Sequence, residues 1–452
     1  MTTASALALS GCGAANDPST SEGETGAVEV ALVPAQLNRN LDLLFVVDDS
    51  PGMLEKQGAL RFALPTLLEQ LELVPGGLPN LHVGVVSSDL GTQAALDATP
   101  GPPLGRLGQG GCASQGKGGI LQTYGAALLG GGNYITDILR TDASRIANYS
   151  GSLADALGRM TAAGEGGCNF EQHLEAIKVA LDDNPSNGGF VRPDAMLGVI
   201  VLADEDDCSM AHSTLISEDS SKLGAIASFR CTRHGVVCDD DGADPDAMNE
   251  TGLKSKCRAS TDSPYVADID RYVTFLEQLK GSTRPVMMSV IAGQPDPFHV
   301  ELRPPPQGGV PQPALSASCT YAGVQGLTGA DPAVRLFEFA SRFHHGVTAS
   351  VCGSDYRGAL TKIAVQIETL LVGDPCLDRE ITLPAACEAT ELRDSDPGFS
   401  SELPSCSDAV TTDCFRLISD PGRCSGGQNL RLQVVRSGPP PTDGWTSLRC
   451  DL

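Results

Sequence analysis

The chain is 452 residues long, with a formal net charge of −25 and a pI near 4.5. The acidity is spread along its length rather than gathered in a tail; such a surface repels phosphate backbones and excludes nucleic acid as a partner. Aromatic residues make up only 4%, too few for a platform that stacks bases or sugars, and the length allows two or three domains with a sizeable core.

At the amino terminus, ALALSGC (6–12) looks like a bacterial lipoprotein signal, with Leu9-Ser10-Gly11 directly before Cys12. The cysteine count supports this reading. A reducing compartment rarely keeps 15 cysteines outside a metal cluster, and the CxxC pairs of zinc sites are absent. Disulfides are expected instead, and lipidation of Cys12 leaves an even number for seven bridges. The candidates are Cys112, Cys168, Cys208, Cys231, Cys238, Cys257, Cys319, Cys352, Cys376, Cys387, Cys406, Cys414, Cys424 and Cys450. Only eleven residues precede Cys12, none of them Lys or Arg, so a full signal peptide implies a start upstream of Met1. No segment reaches the roughly 18 uninterrupted apolar residues of a membrane span, so attachment to a membrane is expected through the lipid alone. Gly13 in place of an Asp favours the outer membrane or cell surface over the inner membrane.

Residues 13–37 are rich in Gly, Ser, Thr, Asp and Glu and read as a flexible acidic linker. The apolar run Leu43 to Val47 then has no polar alternation, the pattern of a central parallel strand covered on both faces. It stops at Asp48-Asp49-Ser50. Ser50 suits the cap of a following helix and Pro51 its first position. Leu60, Leu64, Leu67, Leu68 and Leu71 form a helical stripe. A second strand is expected over 81–91, ending at Asp89. A Gly-rich excursion (100–134) holding Cys112 is expected to replace an edge hairpin with an irregular loop. Helices fit 151–163 and 170–182, and the buried strand 197–203 delivers Asp204. Between Cys208 and Ser263 lies an insertion with four cysteines. A helix (265–279), a strand (285–292), a Pro-rich loop (295–318), a helix (332–343), a strand (346–351) and a helix (354–371) follow. Strands alternating with helices imply a mostly parallel sheet with right-handed crossovers. After Gly373-Asp374-Pro375, residues 373–452 read as a small disulfide-rich β-type module whose own core is thin.

The expectation is therefore an α/β fold: a Rossmann-like, mostly parallel central sheet with helices on both faces over 38–372, insertions at 100–134 and 208–263, and the carboxyl-terminal module. A carboxylate and a hydroxyl stand at the carboxyl end of its first strand, where open α/β sheets bind ligands. At these residues the sequence resembles the von Willebrand factor A family, whose metal-ion-dependent adhesion site opens with Asp-x-Ser-x-Ser. Asp48 and Ser50 match the first two positions, and Asp204 matches the Asp after the fourth strand. Gly52 stands where the second Ser is expected, and Cys168 or Phe170 where a Thr is expected, so the site is partly degenerate. The resemblance implies a divalent cation, Mg²⁺ or Ca²⁺, held by Asp48, Ser50 and Asp204, with one coordination position left for an acidic side chain of the partner.

The bland reading of the same residues is that Asp48 and Ser50 cap a helix and Asp204 the next turn. The run Asp204-Glu205-Asp206-Asp207 repels itself unless a cation lies nearby, and Asp206 and Asp207 are candidates for an additional calcium site; the alternative is a solvated loop pinned by Cys208. Asp239 to Asp244 resembles a fragment of a calcium loop but lacks the EF-hand spacing and its closing Glu, and reads as an exposed, disulfide-framed loop. His173 and His344-His345 have no zinc spacing, and no GxSxG elbow or Walker loop is present. The expectation is thus a non-enzymatic, exported, lipid-anchored protein that binds a protein or cell-surface ligand at the top of the sheet. Two alternatives stand beside it: a metal-free scaffold using the inserted loops, and an extracytoplasmic hydrolase without a recognisable motif. The oligomeric state is not legible.

Overall fold

The computed structural model describes residues 28–35, 38–74, 76–140, 142–239, 246–281, 286–305, 309–324, 326–343, 345–372, 377, 381, 386–393, 395–396, 398–407, 413–420, 430–437, 441 and 444–451. Cys12, Cys376, Cys424, His344 and most of the 239–244 loop lie outside them.

Seven strands build the central sheet: β1 (Asn40–Val47), β2 (Asn80–Ser87), β3 (Ile135–Leu139), β4 (Arg145–Ala147), β5 (Met196–Leu202), β6 (Val286–Ala292) and β7 (His345–Ser350). Their order is β7-β6-β5-β1-β2-β3-β4. β7, β6, β5, β1 and β2 pair in parallel, and β3 and β4 complete one edge in antiparallel. The α/β class is as expected. The edge hairpin, however, is present directly after the Gly-rich excursion instead of being replaced by it. Its strands have five and three residues and are largely half-buried, too short and too polar to stand out.

Successive residues of β1 point to opposite faces. Leu41, Leu43, Phe45 and Val47 join one core with α1 (Leu54–Leu71), α2 (Leu153–Met160) and, further along the chain, a long carboxyl-terminal helix, Arg357–Val372. Leu44 and Val46 join the other, against α3 (His173–Leu181), α4 (Asp270–Lys280) and α5 (Val334–Ser341). The helix Arg357–Val372 is α6. Both faces of β1 and β5 are thus dry, which is why their sequences are unbroken apolar runs.

The Pro-rich segment 295–318 is not wholly irregular. Strands Phe298–Arg303 and Gln312–Leu315 pair there, and Gly252–Lys254 adds a third from the earlier insertion. Phe298 and Val300 point inward on alternate positions and drive the pairing. Four bridges lie in the α/β region: Cys112–Cys168, Cys208–Cys231, Cys238–Cys257 and Cys319–Cys352. Two more, Cys387–Cys450 and Cys406–Cys414, lie in the carboxyl-terminal region.

That region contains a four-stranded sheet in the order Val28–Pro34, Gly444–Cys450, Cys387–Arg393, Ser400–Leu403. The first of these strands comes from residues read as flexible linker. VEVALVP pairs antiparallel with the end of the chain, so the linker reading fails for its last residues. The signal was short, and its partner lies over 400 residues away. Trp445 of this sheet is 3% exposed and belongs to the α1/α6 core, joining the two regions.

Candidate functional site

β1 and β5 are neighbours whose chains leave in opposite lateral directions, so a crevice opens at their carboxyl ends. Asp48 N–H donates to Leu202 O at 3.0 Å, holding the two strand ends together. The Asp48 carboxylate folds back, its Oδ1 accepting the Ser50 N–H at 2.8 Å, while Gln57 Nε2 donates to Asp48 O at 2.8 Å. The chain then turns through Gly52, at φ +109°, and α1 begins only at Leu54, with Met53 in the cap position and no side-chain cap. Ser50 and Asp48 therefore do not cap α1, and the expected helix start is three residues early. Gly52 is required here: an L side chain is strained at that φ, and its Cβ would lie 3.4 Å from Asp204 Oδ2.

The structure brings Asp48, Ser50 and Asp204 together, along with cations that sequence reasoning did not assign. Lys56, from the first turn of α1, lies 2.8 Å from Asp204 Oδ2 with its side chain 1% exposed. It also donates to Gly52 O at 3.0 Å and to Thr328 Oγ1 at 3.4 Å. Burial and the neighbouring Asp48 push the Asp204 carboxyl up to about 7, against the pull of Lys56. His173 Nε2 lies 3.8 Å from Asp48 Oδ2, an electrostatic pairing too long for a hydrogen bond. Burial opposes charge on both partners, yet their attraction prevails, raising His173 and lowering Asp48. Asp49 is paired with Lys117 and accepts from Ser87 Oγ. Burial pushes Lys117 down to about 8.

The acidic run after β5 divides its duties. Asp206 caps α5, accepting from Arg335 N at 2.9 Å and Leu336 N at 3.1 Å. Asp207 caps α3 through Leu174 N at 2.9 Å and pairs with buried Arg335 at 3.0 Å. Arg335 and two helix N-termini thus supply positive charge to Asp206 and Asp207, the residues expected to hold an additional calcium ion. Asp239, the described end of the calcium-like loop, pairs with Lys256 and Arg258.

The position expected to hold a Thr lies on the loop before α3. Cys168 is bridged to Cys112 and Phe170 is buried among apolar side chains. Glu171 and His173 carry the polar chemistry instead; an acid and a histidine two apart at a loop-to-helix junction were the available signal. Gly167 N–H donates to Asp49 O at 2.7 Å, and a Cβ there would lie 2.3 Å from Asp49 Oδ1, so the loop presses directly on the site.

This covering decides what the site can do. Asp48 is 0% exposed, Ser50 3%, Glu171 1% and Asp204 9%. Two ligand oxygens of the family pattern are missing, Asp204 is bonded to a lysine, and no face is open for a partner's carboxylate. Among the described residues no group of three His, Cys, Asp or Glu side chains is arranged to hold a metal ion. The residues do not fit a cation site that a partner completes. Asp48 Oδ2, Ser50 Oγ and Glu171 Oε1 are nevertheless buried without a hydrogen-bond partner.

Beside the covered crevice lies an accessible cleft of about 700 Å³. Its rim comes from 104–111, 225–232, 303–305 and 312–315, and its floor holds Glu171, Glu205, Asp206 and Asp331. The bridges Cys112–Cys168 and Cys208–Cys231 tie the rim to the loop before α3 and to the segment that follows β5. Burial, then Glu205 beside Glu171 and Asp331 beside Glu205, raise these two well above the usual carboxylate range; burial raises Asp331 to about 6, against the pull of Arg303.

No described protein family and no curated protein matches the chain. Among solved structures, BatB from Bacteroides thetaiotaomicron is 10% identical with a TM-score of 0.26, over 72% of this chain and 97% of that one. The pilus adhesin SpaC from Lactobacillus rhamnosus GG is 8% identical with a TM-score of 0.31, over 92% of this chain and 39% of that one. A von Willebrand factor type A protein from Catenulispora acidiphila is 10% identical with a TM-score of 0.22, over 92% and 58%. Likenesses this low carry no weight for function.

Proposed function

We propose that this is an exported, lipid-anchored binding protein that engages a protein or cell-surface ligand through the cleft beside the switch point. The observation that carries the reading is the cleft itself: an open volume lined largely by the inserted loops at 100–134 and 208–263, with the Pro-rich segment beside them, and held by two disulfides. This is the metal-free form of the expected binding function, with contacts made by the disulfide-framed loops. The disulfides support an oxidising compartment, and Cys12 supplies the anchor.

A second reading, a divalent cation (Mg²⁺ or Ca²⁺) at Asp48, Ser50 and Asp204, is favoured by the buried oxygens of Asp48 and Ser50 that have no donor. Such an ion would be internal, neutralising the carboxylates and stabilising the loop above them.

One experiment separates the two. The full chain, produced in an oxidising host, is bound to isolated cell envelopes with and without EDTA, and the Ala227→Trp and Asp48→Ala variants are compared. Binding that resists EDTA and is lost on filling the cleft rim at Ala227 supports the first reading. Loss with EDTA and in Asp48→Ala, but not in Ala227→Trp, moves the function to the cation. No binding in any condition removes both. Independently, Cys12→Ser is expected to move the protein from the membrane fraction to the soluble one; retention in the membrane fraction overturns the lipid anchor.

A further inference from the structure

We infer that the cleft recognises an organic cation, the ammonium or guanidinium group of a lysine or arginine side chain on the partner. This rests on the cleft being the binding face, as proposed above, and names the chemistry it takes.

Three carboxylates of the floor, Glu171, Glu205 and Asp331, make no ion pair among the described residues, while Asp49, Asp204 and Asp207 nearby do. Lys56 is committed to Asp204, Lys117 to Asp49, and Arg335 to Asp207. Arg303 at the rim is held by Glu301 at 2.9 Å and by Leu315 O at 2.6 Å. Glu171 is the decisive group. It is 1% exposed, lines the cleft, and its Oε1 has no hydrogen-bond partner. A buried carboxylate oxygen without a donor carries a desolvation cost that an entering N–H group relieves.

The walls favour an organic cation over a metal ion. Leu104, Phe229, Pro304, Pro305 and Pro313 line the cleft above the acidic floor. Apolar walls over a floor of carboxyl groups match the methylene stem and charged head of lysine or arginine. A bare metal ion needs several oxygens converging at one point, and among the described residues of the cleft no three His, Cys, Asp or Glu side chains are so arranged. The net charge of −25 draws cationic partners from a distance.

The test is isothermal titration of the full chain with the blocked tripeptide acetyl-Gly-Lys-Gly-amide, its Arg and Nε-acetyl-lysine counterparts, spermidine and CaCl₂. Wild type, Glu171→Gln, Glu205→Gln and Asp331→Asn are compared, with thermal melts confirming folding. Because these carboxylates repel one another, their neutralisation is compatible with the fold. The Lys and Arg peptides are expected to bind, the acetylated peptide not, and Glu171→Gln to weaken binding at least tenfold. Tighter binding of the peptides than of spermidine identifies a partner side chain; the reverse identifies a free polyamine as the source of the same chemistry. Failure of both cationic peptides and spermidine, binding that survives all three neutral variants, or Ca²⁺ binding abolished by the same variants overturns the inference. Envelope binding that survives Glu171→Gln but not Ala227→Trp also overturns it, while leaving the cleft as the binding face.

Discussion

Lys56 illustrates how a single side chain reshapes the reading of a site. Its ammonium is sealed in with Asp204, and a buried pair of this kind is weak evidence for net stability but costly to break on one side. Lys56→Met leaves Asp204 without its cation and is expected to cost about 3–5 kcal/mol. Adding Asp204→Asn to it should recover much of that loss in a denaturant melt; a double variant as unstable as the single one would show that the pair is not the cause. A second residue sets an acid response. His234 is 7% exposed and stacks edge-on with Tyr265. Burial, then Arg233 and Arg230, push its ring down to about 4 from 6.5. As pH falls through that window the unfolded chain takes up a proton that the folded chain refuses, so this group removes stability from pH 6.5 down to 4. Asp206 and Asp331, each raised to about 6, work in the opposite direction. The informative quantity is therefore a difference: His234→Phe should lose less stability than wild type between pH 7 and 4.5, and parallel curves would refute this.

At the scale of elements, what was legible followed from burial. β1 and β5 are dry on both faces and read as unbroken apolar runs, and every leucine of the α1 stripe is buried. Asp48, Ser50 and Asp204 were legible because they end those strands. The role of Lys56 was not, since its partner lies 148 positions away and one lysine in a first helical turn looks like any other. Nor was the covering loop, whose position depends on a cysteine pairing that spacing cannot specify. That bridge, Cys112–Cys168, closes a separation of 56 residues and fastens the cleft rim to the loop pressed on Asp49. Replacing both cysteines with serine is expected to cost ~4 kcal/mol from the unfolded-chain entropy of a loop of that length. Ligand binding at the cleft should weaken with it, and undiminished affinity would show that the rim holds its shape without the bridge.

For the whole molecule, the small sheet is built from both ends of the described chain, and the strand Val28–Pro34 lies against α6. Trp445 plugs that sheet into the core beneath α1 and α6. Trp445→Ala is expected to cost about 3–5 kcal/mol through the lost burial and the cavity left behind. If the two regions stand as one cooperative unit, a single melting transition will shift; a second, separate transition in wild type would show that they unfold independently.

The pairing of Val28–Pro34 with Gly444–Cys450 also sets a route for mechanical load. Under the proposed anchoring at Cys12, a force resisted by a partner at the cleft would run lengthwise along this strand. The strand's hydrogen bonds to its neighbour are then loaded side by side, in shear, rather than one after another as in unzipping. The neighbour ends at Cys450, itself bridged to Cys387 of the next strand. Part of such a load would pass sideways into this sheet, and the rest would follow the chain on to β1.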